Sequence, residues 1–445
     1  MPATLCACFC CTTKPRKKNQ PEKDSNLDKF PREDEYAAPS IPYGTLYVYG
    51  YNGQLPLQNR GRYKTYFKLE QRSMANGVSV ASECPLNSDE AKALPDTAYR
   101  CTFNGPATKN VAIHEIDKNT DMFQIGRSAE NQIDFIVMDT VSGEENISDK
   151  FASRSTISRF ACRVNVERNP PHSVKVLAAA FDGKNHISLG ENLPQWKRED
   201  GSSDGLTTNG VLLMHQKGDW SKQMKPGIWR EVSVAGDVYS LRQTRSAKEK
   251  GQRITTDNNT LKDGTMVDLC GVVLLFRTVE GLEKAPTVEE LIKKRDDINA
   301  KRPQCPVGLM TIRFPSNQVN QKQIDMHAIP HVYISCGHVH GYHSWGKTHA
   351  PSERLEESER TCPICREAGQ FIPLKFGMEP AFYVDNGPLT HAFCPCGHVT
   401  SEATARYWSQ VPLPYGKDEF RSACPFCAKP LEGEDGYVKL IIQTE

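Results

Sequence analysis

A chain of 445 residues has room for two to four domains of ordinary size, which excludes a single small module. With 55 Lys and Arg against 54 Asp and Glu the formal net charge is +1, so there is no global basic field to draw the chain to nucleic acid or to a membrane. The uncharged apolar segment 269–276 is eight residues long, far short of the ~20 that span a bilayer, and the N-terminus is Cys-rich before it turns basic, the reverse of a secretory signal. The reading is an intracellular, cytoplasmic chain without a transmembrane helix.

Residues 1–42 hold mixed charge, Pro, Asn and Ser with little apolar periodicity, the composition of a disordered tail. Within it Cys6, Cys8, Cys10 and Cys11 precede Lys14, Arg16, Lys17 and Lys18. Two weak membrane signals are thereby combined, since an acyl chain contributes about 0.8 kcal/mol per buried CH₂ and each basic residue about 1 kcal/mol at an anionic leaflet. The four cysteines are the candidates for reversible palmitoylation, and peripheral membrane association would follow.

From 43 to 282 the apolar content comes in short bursts, at 45–51, 134–138, 161–166, 174–178, 210–214 and 267–276, rich in Val, Ile and aromatics and bounded by Gly, Asn, Pro or Asp. That pattern predicts many short strands in a β-sandwich. Segments 70–115 and 185–230 exceed a minimal sandwich and predict an appendage. At 283–304 Thr287, followed three residues later by Glu290, makes a capping box, with Val288, Leu291, Ile292 and Ile298 at helical spacing, so a linker helix is expected. Beyond it, over 305–445, Gly, Pro, Cys and His dominate, as where metal rather than a large apolar core fixes the chain.

Sixteen cysteines in an intracellular chain point to metal rather than disulfides, and seven of them fall between Cys336 and Cys427. Cys336-Gly-His338-Val aligns with Cys396-Gly-His398-Val, and Cys362-Pro-Ile-Cys365 with Cys424-Pro-Phe-Cys427, at offsets of 60 and 62 residues. The domain is an internal duplication. Each half supplies three thiolates and one imidazole, the set of a closed tetrahedral zinc site, so two structural Zn²⁺ are expected. One zinc per half is the simpler pairing; a cross-brace joining ligand pairs of both halves is the alternative. Cys394 aligns with Ile334 and is left out, His340 and His343 lack counterparts and are read as outer-layer or surface groups, and the pairs Tyr342/Trp345 and Tyr407/Trp408 are expected beside the metals.

The order C-x-H then C-P-x-C resembles the second metal site of a RING domain. In RING ligases an arginine often follows that knuckle and holds the ubiquitin thioester in a reactive pose, which by resemblance gives this role to Arg366, with the apolar Ile364 beside it as a docking residue. Three further segments, Ile125-Gly-Arg-Ser128, Ile157-Ser-Arg-Phe160 and Thr207-Thr-Asn-Gly210, resemble the phosphate-binding loops of the forkhead-associated fold. By that resemblance Arg127 and Ser158 hold a phosphothreonine and Asn209 grips the peptide backbone, with Arg159 and Thr208 flanking them. A guanidinium and a hydroxyl suit phosphate. The family's usual Ser-x-x-His has Ala161 in the His position.

Longer strings, among them Asn119-Thr-Asp-Met-Phe-Gln-Ile-Gly-Arg127, Lys225-Pro-Gly-Ile-Trp-Arg230, Arg302-Pro-Gln-Cys-Pro306 and Cys336-Gly-His-Val-His-Gly-Tyr-His343, resemble the Pellino family of ubiquitin ligases from about residue 43 to the C-terminus. The resemblance implies a forkhead-associated sandwich with an inserted wing, followed by a zinc-stabilised α+β RING-like domain of two CHC2 halves. It further implies a ubiquitin-conjugating enzyme and ubiquitin as partners, and phosphorylated kinases or adaptors of Toll and interleukin-1 receptor complexes as substrates. The rival reading is a non-catalytic phosphopeptide-binding scaffold. Nucleic-acid binding is disfavoured, because 330–445 lacks a dense Lys/Arg stripe with interleaved aromatics.

Overall fold

Short Val-, Ile- and aromatic-rich segments pair where their apolar faces can be covered. The computed structural model describes residues 40–52, 64–140, 155–315, 326–344, 359–415 and 419–444; the four N-terminal cysteines lie outside them. A seven-stranded sheet runs in the order Val238–Tyr239, Arg230–Val232, Val211–Met214, Met266–Asp268, Val273–Arg277, Pro42–Val48, Tyr66–Glu70. It shares one core with a four-stranded sheet of Phe135–Ile136, Thr120–Gly126, Cys162–Glu167 and Val174–Ala178, through Leu46, Ile125, Val164, Val176 and Leu274. The burst at 267–276 is a hairpin rather than one strand. Its turn places Cys270 at φ 62° and Gly271 at φ 143°, where a Cβ would stand 2.5 Å from Asp139 Oδ1.

The appendage is a four-stranded sheet, His186–Leu189, Tyr99–Asn104, Lys109–Asp117 and Gly77–Pro85, with the ribbon Gln195–Lys197/Ser203–Gly205. Cys101, Phe103, Ala112, Ile187 and Leu189 join the sandwich core, so it is a wing continuous with the sandwich. Residues 211–230, expected in the appendage, instead supply a central strand and the contact with the second domain. The linker is two helices, Val279–Glu283 and Val288–Ala300, the second opened by the predicted capping box. Leu291 is buried, whereas Val288 and Ile292 face solvent.

The strand Val211–Met214 explains why two domains share a core. Val211 and Leu213 point into the sandwich, while Leu212 and Met214 point the other way, and Val267, Leu274 and Phe276 alternate likewise with Met266, Val273 and Leu275. A sheet apolar on both faces needs a layer on each side. The second layer is the 305–445 domain: Trp220 Nε1 donates to Tyr383 O at 2.9 Å, Trp229 Nε1 to Pro412 O, and Tyr49 packs against Phe382 and Trp408 at ring distances of 6.0 and 5.3 Å. Arg277, fully buried, pairs with Asp263 at 2.9 Å, donates to Ala381 O and lies 4.6 Å from the Trp220 ring. Trp408→Ala opens a cavity in this shared core and should cost about 3–5 kcal/mol. The expected result in urea is one unfolding transition reporting on both domains, displaced to a lower midpoint in the variant.

Candidate functional site

The second domain folds as its repeat suggests. In each half a strand, Pro330–Tyr333 or Leu389–Phe393, pairs with the strand that follows the Cys-Gly-His turn and with a strand that follows the knuckle, in the registers Val332↔Val339 and Val332↔Ile372, and Ala392↔Val399 and Ala392↔Val438. The turn between the first two strands is closed by Gly337 N–H to Tyr333 O and by Gly397 N–H to Phe393 O, both 2.8 Å. Gly337 and Gly397 have φ 78° and 72°, and a Cβ on either would strike backbone, Lys439 O at 2.0 Å and Pro373 O at 2.1 Å. Those carbonyls belong to the opposite half. Each half therefore closes its ligand turn around the chain leaving the other's knuckle, and glycine is required by that crossing as well as by the left-handed backbone.

Cys336, His338, Cys362 and Cys365 bring their ligand atoms within 4.8 Å of one another, and so do Cys396, His398, Cys424 and Cys427. The structure thus gathers the four predicted ligands of each half together. His338 Nδ1 lies 3.2 Å from Cys336 Sγ and 3.7 Å from Cys362 Sγ; His398 Nδ1 lies 3.4 Å from Cys396 Sγ and 3.6 Å from Cys424 Sγ. Zinc bonds of ~2.3 Å to sulfur and ~2.0 Å to nitrogen at tetrahedral angles require an S···N edge of about 3.5 Å. The donor sets fit a metal. Donation from Cys396 and Cys424 holds the Cys427 thiol far below its ordinary range, and the Glu367 backbone N–H lowers that of Cys365, while burial pushes Cys336 up to about 12.

The knuckles are superimposable in their hydrogen bonds. Cys362 N–H reaches Glu367 O and Arg366 N–H reaches Cys362 O, both at 2.8 Å; Cys424 N–H to Lys429 O and Ala428 N–H to Cys424 O measure 2.9 and 2.8 Å. Arg366 and Ala428 both have positive φ, 65° and 58°. A third turn has the same form and was not legible as such: Cys305 N–H to Met310 O at 2.8 Å, Leu309 N–H to Cys305 O at 2.9 Å, Leu309 φ 50°. Flanking pairs match too, Gln304 with Thr311, Thr361 with Ala368, Ala423 with Pro430. Gly308 occupies the second thiol's place and donates its N–H to Cys305 Sγ at 3.2 Å. The signal available was Cys305-Pro-x-Gly308, a Cys-Pro-x-Cys with its last ligand missing.

Around the first cluster, His340 and His343 are buried rather than on the surface. His340 Nε2 stands 3.9 Å from Cys362 Sγ, and burial lowers its pKa to about 4, with His343 and His338 adding to the effect. Cys394 is buried outside both clusters. Tyr407 and Trp408 do not flank a metal; they sit on helix Glu402–Gln410 and face Trp220 and Tyr49, and the ring beside His398 is Phe426, at 5.6 Å. Tyr342 packs on His331 at 5.4 Å, and Trp345 lies outside the described residues.

The two knuckles differ in surroundings. Pro425 and Phe426 are buried, Pro425 O accepts from Gly50 N–H at 2.9 Å, and a Cβ on Gly50 would meet the Ala428 methyl at 2.7 Å. The first domain thus covers the second knuckle. On the first, Ile364, Cys365 and Arg366 are exposed, Ile364 at 48%.

At one end of the sandwich the three phosphate-loop segments converge. Arg127 N–H reaches Ser158 O at 3.2 Å and its Nε reaches Ile157 O at 2.7 Å; Asn209 Nδ2 donates to Thr156 O and to Ser158 Oγ at 3.3 Å. Thr208 is exposed beside Asn209. Arg159 is directed elsewhere, pairing with Glu130 and lying over Phe160. Sequence reasoning missed the groups that set this loop: Arg245 donates to Asn209 O at 3.2 Å and pairs with Asp268, and the buried pair Arg242–Glu231, at 2.6 Å, ties Thr207 O through a further bond of 2.8 Å. Nothing in their spacing marked them.

A sandwich with forkhead-associated loops joined to a RING-type metal domain is the class that this fold and these sites define. The model of the Pellino FHA domain matches residues 34–294 and that of the Pellino RING domain residues 298–445. A human protein named E3 ubiquitin-protein ligase pellino homolog 2 is 48% identical over 419 residues, 93% of this chain and 98% of that protein. The Drosophila melanogaster protein named pellino is 46% identical over 420 residues, 92% and 95% of the two chains, and mouse E3 ubiquitin-protein ligase pellino homolog 3 is 47% identical over 408, 91% and 90%. The chain belongs to the Pellino family.

Each half closes its own four-ligand cluster, so metal analysis of purified protein should give two equivalents, and Cys424→Ala or Gly397→Ala should lower this to about one. Retention of two by Gly397→Ala would contradict the crossing.

Proposed function

We propose that this protein is a RING-type E3 ubiquitin ligase in which the first half of the metal domain recruits the ubiquitin-conjugating enzyme and the sandwich selects phosphothreonine-bearing substrates. The observation that carries this reading is the unequal exposure of two equivalent knuckles: among the described residues the second is covered by the first domain, while the first exposes an apolar residue and a cation, Ile364 and Arg366. The ion suited to both clusters is zinc, which Cys336, His338, Cys362 and Cys365 and Cys396, His398, Cys424 and Cys427 would hold. With four protein ligands it would supply rigidity and leave no open position for water.

Transfer to a substrate lysine forms an amide bond and releases the conjugating enzyme's cysteine thiol. The ligase makes no covalent bond in that step; its contribution is to hold the thioester in one pose. Arg366, at φ 65° with its backbone N–H bonded to Cys362 O, presents five N–H donors at the exposed knuckle. On the sandwich, Arg127 is exposed beside Ser158 and suits a phosphate dianion. By family membership we infer that substrates are phosphorylated receptor-associated kinases or adaptors of Toll and interleukin-1 signalling.

Autoubiquitination with a panel of conjugating enzymes tests the first claim. Arg366→Ala should slow transfer by about tenfold to a hundredfold with both metals retained, whereas Cys362→Ala should abolish it with loss of one metal. Undiminished transfer by Cys362→Ala would overturn the assignment. For the sandwich, Arg127→Ala should weaken binding of a phosphothreonine peptide by ~1.5–3 kcal/mol, tenfold to more than a hundredfold by calorimetry, and Ser158→Ala should cost less.

A further inference from the structure

Between the sandwich and the second domain lies a cleft of about 220 Å³. One wall is Asp139, Thr140, Thr156 and Gly271 of the first domain; the other is the hairpin Leu413–Tyr415/Glu419–Arg421 of the second, which presents Tyr415 and Arg421. The cleft and the phosphate loops share a wall. Thr156 lines the cleft and its carbonyl accepts from Asn209 Nδ2, and Asp268, also in the lining, is held by the same Arg245 that holds Asn209 O.

Its charges are unequal. Asp268 is neutralised by Arg245 and Arg421 by Glu419 at 2.7 Å, with the Arg421 guanidinium 4.6 Å from the Tyr415 ring. Among the described residues Asp139 has no cation and no close hydrogen-bond donor: the Thr156 hydroxyl, 3.5 Å away, gives its single proton to Cys270 O. Beside it the Thr140 hydroxyl oxygen is buried without a partner among the described residues. The glycine at 271 leaves room for this carboxylate, which a side chain there would strike.

We propose, resting on the phosphothreonine reading, that the cleft takes a lysine or arginine side chain of the same peptide, so that both domains read the substrate. Asp139 meets the cationic head, the Thr140 oxygen accepts one of its protons, and Tyr415 covers the methylenes. Thr156 is two residues from Ser158, and an extended chain advances about 3.3 Å per residue, which puts the basic residue within about three positions of the phosphothreonine.

The experiment uses the full chain and synthetic phosphothreonine peptides in which Lys, Ala or Glu is walked through the three positions on either side, read by fluorescence anisotropy. At one position Lys should bind about fivefold tighter than Ala, with Glu weaker than both, and Asp139→Asn should level Lys and Ala while the conservative Asp139→Glu keeps a preference for Lys. Peptides that bind only when phosphorylated but show a flat profile, a preference for an apolar residue, or a Lys preference that survives Asp139→Asn would overturn the cleft assignment alone. Absence of phosphorylation-dependent binding by every peptide would overturn the phosphothreonine reading and the cleft with it.

Discussion

The second domain rests on two backbone crossings. At Gly337 the chain of the second half, and at Gly397 the chain of the first, passes so close that the Cys-Gly-His turn has no space for a side chain. Beyond each crossing the strands continue in register, Val339 N–H to Ile441 O at 3.1 Å and Gly377 N–H to Val399 O at 3.1 Å. Each ligand turn is backed by the other half's chain, so an isolated half lacks the backing that its turn has here. The duplication is thus reciprocal: one four-ligand cluster per half, but one folding unit.

Duplication would give two identical docking surfaces if nothing else intervened. The sandwich intervenes, because its central strands are apolar on both faces and must be covered, and the layer that covers them brings Ala428 against Gly50 and Trp408 against Tyr49. One knuckle is spent on internal packing and its twin stays open. The same packing fixes the metal domain relative to the phosphate loops, with hydrogen bonds from Trp220, Trp229 and Arg277 crossing the boundary. On the proposed function, a substrate held at Arg127 would be presented to the first knuckle on a rigid frame rather than on a tether.

Much of this was legible because its chemistry is local. Eight candidate ligands in a repeated order, the Thr287–Glu290 capping box, and the apolar bursts at 161–166, 174–178 and 210–214 depend on residue types a few positions apart; the candidates are gathered in two clusters, the box forms, and the bursts lie on the strands Cys162–Glu167, Val174–Ala178 and Val211–Met214. What escaped depends on distant partners. Tyr407 and Trp408 looked like companions of a metal by their place in the repeat, yet tertiary packing turned them to the sandwich. The 267–276 run hid a hairpin, since its turn is made by the left-handed backbone of Cys270 and Gly271 inside an otherwise unbroken apolar run. Arg245, Arg242 and Glu231 act through burial and pairing, which no spacing announces. The apolar run Val211-Leu-Leu-Met214 did carry a hint of the second layer, because a strand without alternation is a strand covered on both sides.

The central claim, that the first knuckle is the free docking surface and the second is not, is tested most directly by methyl NMR of the full chain during titration with a ubiquitin-conjugating enzyme. The Ile364 δ1 methyl should shift or broaden as the enzyme binds, while the Ala428 methyl beneath Gly50 stays in place. Perturbation of Ala428 with Ile364 unmoved would contradict the account.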